Sequence, residues 1–220
     1  MIAATIVALM LAQTQSSQQS DPPSVSASPA RPGENARAPR DRSAVDPASV
    51  AQMQEFGRCA ARRLPAKAAA LLQMDYTTPQ YQQALKRLAT SNSSCAPHKQ
   101  GRFAGVLFAG ALAEELLSRT DNLAAALAYD PGDPAVKAIT ETDMIAACVA
   151  RTAPGEVARL FATPAASDAE KAVIGQLTPV VQKCVATGQR ARFNRPGLRA
   201  ILATASYRIV QAGRVPATTS

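Results

Sequence analysis

Tryptophan is absent from this sequence, histidine occurs once, and aromatic residues make up only 4% of the 220 positions. The single histidine, His98, sits between Pro97 and Lys99 and reads as a solvated loop side chain. One imidazole cannot build a His-based acid/base pair, nor the several-ligand set that zinc favours. The sequence also lacks C-x-x-C, G-x-S-x-G, H-E-x-x-H, the phosphate-binding P-loop and G-x-G-x-x-G. Those patterns place nucleophiles, metals and phosphates where chemistry needs them. No metal, no cofactor and no catalytic activity is therefore expected. Alternating β-branched runs never exceed three or four positions, which argues against strands.

Aromatic residues are missing altogether from 1–55, so the packed part is expected to begin near Phe56. Residues 2–12 are uncharged and apolar. Eleven residues are too few to cross a bilayer, which takes about 20. They fit the apolar region of a signal peptide over 1–12, although no Lys or Arg precedes them. The alternative is a short buried helix. Residues 13–46 are rich in proline and serine, carry mixed charge and show no periodicity, as expected of a disordered arm. The expected location is periplasmic or secreted, with no transmembrane helix in the mature form.

What the chain does have is a pattern written twice. Placing residues 56–95 on 145–184 with an offset of 89 gives eight identities in forty positions. These include Cys59 with Cys148, Pro65 with Pro154, and Cys95 with Cys184. With one residue of slip, Arg102-Phe103 then faces Arg192-Phe193. The expectation is an internal duplication, with repeat 1 over 47–130, repeat 2 over 131–212 and a tail over 213–220. Four cysteines allow three pairings. A unit that was copied must have been self-sufficient, which favours Cys59 with Cys95 and Cys148 with Cys184. The alternative is four small, buried, reduced thiols. Paired cysteines and export support each other, because disulfides persist in oxidising compartments.

The fold class follows as all-α: two tandem similar lobes of about four helices, each with one disulfide. Asp46-Pro47 and Thr78-Pro79 read as helix starts, and Ser167-x-x-Glu170 as a capping box. The opening helix of the second lobe is expected over 135–151. Asp130-Pro131-Gly132-Asp133-Pro134 is the expected boundary turn. Pro179 is expected to kink or break its helix. Phe103, Val106, Leu107, Gly110, Ala111 and Leu117 form an apolar stripe expected to face the core.

The formal charge of +8 is uneven. From Lys171 onward there are two Lys, six Arg and no acid. Arg190, Arg192, Arg195 and Arg199 crowd around the start of the last helix, and Lys99 and Arg102 occupy the matching loop of the first copy. Arg forks bind phosphate or carboxylate in two-point fashion. These six are the candidate anion-binding residues, for an anionic lipid, an anionic glycan or an acidic protein. The plainer alternative is a solubilising face. Nucleic acid is not expected, since no recognition motif accompanies the charge. Glu114 falls on the apolar stripe and needs a cationic partner if buried, with Arg62 or Arg151 as candidates. The expectation is an exported binding or interaction protein of the cell envelope. One alternative is an adaptor that uses a groove between the lobes. A small hydrolase built on Glu114 is another.

Overall fold

A computed structural model describes residues 46–96, 103–132, 135–187 and 191–214. All of them belong to one compact unit. The expected signal peptide, nearly all of the expected arm, His98, Asp133, Pro134 and residues 215–220 lie outside the described residues.

Each helix start has a local cause. Asp46 accepts Ser49 N at 3.0 Å and caps α1 (Pro47–Arg63). Pro65 then opens α2 (Pro65–Gln73), and Thr78 caps α3 (Pro79–Thr90) through Tyr81 N. A short 3-10 turn, Ser93–Cys95, follows. Next come α4 (Gly105–Leu117) and α5 (Leu123–Leu127), the latter capped by Asn122. The second half gives α6 (Glu141–Thr152), α7 (Pro154–Ala162), α8 (Asp168–Cys184) and α9 (Arg195–Arg214). Every regular element among the described residues is helical.

The two halves agree in local detail. Both α2 and α7 have nine residues and begin at proline. The residues before them, Leu64 and Ala153, have φ/ψ of −131°/59° and −132°/56°. Cys59 is bonded to Cys95 and Cys148 to Cys184, each pair with Cα atoms 5.8 Å apart. The first disulfide pins α1 to the 3-10 turn, and the second pins α6 to the end of α8.

At the centre α4 lies between α1 and α9, while α9 also packs on α6. Buried apolar side chains from both halves, from Phe56 to Val210, form one cluster. Alanine makes this close packing possible. Ala60, Ala61, Ala111, Ala113 and Ala203 are fully buried, and small side chains let helix axes approach.

Four sequence-based expectations need correction. Helix α6 starts at Glu141, not 135, because Thr140 and Asp143 cap it reciprocally. Thr140 Oγ1 accepts Asp143 N at 3.4 Å, and Asp143 Oδ2 accepts Ile139 N at 2.9 Å. Pro179 does not break α8. It sits on an exposed face, and water can take the Gly175 carbonyl freed by the missing N–H. Phe103 and Val106, before and in the first turn of α4, are 47% and 59% exposed rather than inward. Helix α9 extends to Arg214, two residues into the expected tail.

Candidate functional site

Arg199, expected on an anion-binding surface, is instead 3% exposed. Its fork meets Glu114 in two-point fashion, Nε to Oε1 and Nη2 to Oε2, both at 2.7 Å. Nη1 donates to Glu170 Oε1 at 3.1 Å and to Thr163 Oγ1 at 3.3 Å. Nη2 also donates to Thr163 O at 3.0 Å. Five N–H groups thus meet five acceptors, and nothing is left for an external anion. Position 199 is four residues into α9 and turns inward, a periodicity that outweighs the charge of the surrounding sequence.

Glu114 was expected to meet Arg62 or Arg151. It meets Arg199 and Gln54, whose Nε2 donates at 2.7 Å. Burial pushes its carboxyl above the usual range, and the Arg199 fork pulls the other way. For Arg199 burial would lower the pKa, but Glu114 and then Glu170 outweigh it and the guanidinium is raised. Arg62 serves the neighbouring Glu115 at 3.1 Å, together with Arg58 at 3.3 Å. Arg151 donates to Ala128 O at 2.8 Å and lies over the Tyr129 ring. The adjacent carboxylates are thus divided between helices, Glu114 to α9 and Glu115 to α1. Ser167 Oγ accepts Glu170 N at 3.1 Å as the capping box expects, but the Glu170 carboxylate accepts from Ala166 N, at 3.0 Å, rather than from Ser167 N. Its other oxygen is what reaches Arg199.

Of the other candidate anion ligands, Arg192 and Arg195 are exposed at the start of α9. Arg192 lines a hollow of about 240 Å3 with Phe193, and Glu141 shares it. Lys99, Arg102 and Arg190 lie outside the described residues.

The feature that sequence reasoning missed is a cavity of about 520 Å3 where α3, α4, α6 and α9 meet. Leu72, Leu85, Val106, Ala109 and Ile201 give it an apolar wall. At one side stand Tyr76, Tyr81, Thr140, Asp143 and Arg208. Arg208 is 9% exposed and ties three elements together. Nε donates to Leu72 O at 3.0 Å, Nη1 to Asp143 Oδ2 at 3.2 Å, and Nη2 to Met74 O at 3.3 Å. The α2 end thereby gains a cation against its unsatisfied carbonyls. The Tyr76 ring lies 5.5 Å from the guanidinium, and its hydroxyl is hydrogen-bonded to that of Thr140.

Tyr81 differs from its neighbours. It is 7% exposed, and its hydroxyl has no hydrogen-bond partner among the described residues. Burial pushes its pKa up to about 12, so the hydroxyl remains a donor at any physiological pH. Among the described residues the buried side-chain oxygen without a partner is Ser206 Oγ, whereas the Tyr81 hydroxyl opens onto the cavity and offers a free donor there. A second hollow of about 560 Å3 adjoins the first, sharing Gln82 and Leu85. Met53, Phe56, Ala89 and the exposed Phe103 line it. Sequence spacing places Tyr81 and Leu85 on one face of α3, but Arg208 comes from 127 positions away.

Among the described residues no group of three or more His, Cys, Asp or Glu is placed to hold a metal ion. No helix among them is long and apolar enough to cross a membrane. No protein-family model matches this chain, and no curated protein or solved structure matches it either.

Proposed function

We propose that this protein is an exported, non-catalytic binding protein that holds an apolar ligand in the cavity between α3, α4, α6 and α9. The observation that carries this reading is the unpartnered Tyr81 hydroxyl beside an apolar wall in a cavity of about 520 Å3. Ligand sites are typically concave and mostly apolar, with a few convergent polar groups. Catalysis is disfavoured because the buried carboxylates Glu114 and Glu170 are committed to Arg199. The cavity takes the place of the groove between two lobes.

Duplication of a helical unit is part of the same reading. The matched bounds of α2 and α7, the matched caps and the equal disulfide spacing support it. So does the meeting of Gly110 with Ala200, 90 positions apart, the offset that also aligns Arg102-Phe103 with Arg192-Phe193. Export rests on the two disulfides together with the apolar stretch 2–12. Intact mass of protein from its native host tests it. Cleavage near residue 12 with no free thiol is expected, and an uncleaved chain with four thiols overturns export.

Binding is tested with Nile red, whose emission rises in apolar sites. Saturable binding is expected, weakened at least tenfold by Val106→Trp, which fills the cavity from an exposed position. Absent binding, or binding that Val106→Trp leaves unchanged, overturns the reading. A second reading uses the exposed Arg192 and Arg195 for anionic ligands. It requires binding to anionic vesicles that falls steeply with salt and with Arg192→Gln/Arg195→Gln.

A further inference from the structure

Resting on the binding reading above, we propose that the ligand is a single acyl chain with a neutral carbonyl head, an ester or an amide. The head sits at Tyr81 and Arg208, and the chain runs past Leu85 into the second hollow.

Three observations select this chemistry. The head site offers donors. The Tyr81 hydroxyl has no partner among the described residues, and the three bonds of Arg208 leave two of its five N–H groups without one. An acceptor such as a carbonyl oxygen satisfies both. The site is also already electrically balanced, since Asp143 stands 3.2 Å from Arg208 in a buried pair. A carboxylate or phosphate head would place a second negative charge beside Asp143 without a second cation, at a desolvation cost. This disfavours an anionic head at this site.

The tail site is separate and apolar. The two hollows share Leu85 and Gln82 in their walls, and on the far side of Leu85 stand Phe56 and Phe103. A Cβ on Gly105 would stand 2.8 Å from Leu85 Cδ2, so the bare backbone there leaves Leu85 room at the junction. Phe103 and Val106 are large apolar side chains left in water at the two mouths, where a bound chain would cover them.

The test is displacement of Nile red from the full protein at pH 7.5 by monolauroylglycerol, laurate and dodecane. Monolauroylglycerol is expected to displace the dye at the lowest concentration, with laurate and dodecane each at least tenfold weaker. Tyr81→Phe keeps the ring and removes the donor. It is expected to weaken monolauroylglycerol three- to tenfold, the worth of one net hydrogen bond, and to leave dodecane unchanged. Circular dichroism confirms that the variant folds. Laurate binding as tightly as the ester overturns the neutral head, and equal binding by dodecane overturns the head site. If no acyl compound displaces a dye that Val106→Trp still excludes, the acyl assignment fails and the binding reading stands. If the dye never bound in the cavity, both fail.

Discussion

Gly110 of α4 lies directly against Ala200 of α9, so close that a Cβ on the glycine would stand 2.5 Å from the alanine Cα. The neighbour is backbone and cannot swing away. Gly110→Ala therefore forces the two central helices apart. Overpacking of this kind costs about 1–3 kcal/mol, and Gly110→Val more. Gly175 in α8 is the contrast, because nothing lies within 4 Å of its added Cβ. There Gly175→Ala is expected to stabilise by about 0.5–1 kcal/mol, through helix propensity alone. Urea denaturation of the two variants should show midpoints moving in opposite directions.

A deeper cost is expected at Arg199. Arg199→Met leaves Glu114 and Glu170 buried without their cation, and breaking such a pair from one side typically costs about 3–5 kcal/mol. Replacing all three by apolar residues should recover most of the loss, because the desolvation penalty goes with the charges. Arg192→Gln and Arg195→Gln, at exposed positions, should shift stability by no more than about 0.5 kcal/mol. Equal effects at 192 and 199 would mean that Arg199 is not the internal tie described above.

These two cases mark what could be read in the sequence. Helix starts at Asp46, Thr78 and Ser167, and the prolines that divide α1 from α2 and α6 from α7, depend on neighbouring residues, and sequence spacing reveals them. The cysteine pairing was legible for a different reason: both pairs show the same separation of 36 positions. Arg199 was misread because a run of arginines looks like a surface, whereas its partners lie 29 and 85 positions away. The cavity was illegible for the same reason. Tyr81 and Leu85 share α3, but Val106, Asp143 and Arg208 reach them only through tertiary packing.

Tyr81 gives a prediction in alkali. Burial pushes its folded pKa up to about 12, against an ordinary value of 10.0. The raised value means that the folded state holds its proton after the unfolded chain has lost it. The contribution to stability is therefore complete below pH 10 and is lost as pH rises through 12. Two units correspond to roughly 2–3 kcal/mol. Burial raises Tyr76 and Tyr207 as well, so the comparison must isolate one residue. The stability difference between wild type and Tyr81→Phe, measured at pH 8 and at pH 11, should narrow or reverse with rising pH. Absorbance at 295 nm should lose its most alkaline step in the variant. A difference independent of pH would show that the ring is open to water.

The two disulfides close rings of equal length, with partners 36 positions apart in each. Chain entropy alone then predicts equal stabilisation, about 4 kcal/mol apiece. The elements they join differ. Cys148–Cys184 links α6 to α8, two long helices that already pack on each other. Cys59–Cys95 links α1 to a three-residue turn at the foot of α3, where few other contacts hold that end. Removing the second bridge should therefore lower global stability by about 3–4 kcal/mol and leave the native state ordered. Removing the first should cost a similar amount and also loosen the wall formed by Ser93 and Ala96, which line the second hollow. Hydrogen exchange of residues 91–96 distinguishes the two double Cys→Ser variants. Faster exchange is expected only in Cys59→Ser/Cys95→Ser, and with it weaker binding of long acyl chains than of short ones. Equal exchange in both variants would mean that packing against α1, not the sulfur bridge, holds the end of α3.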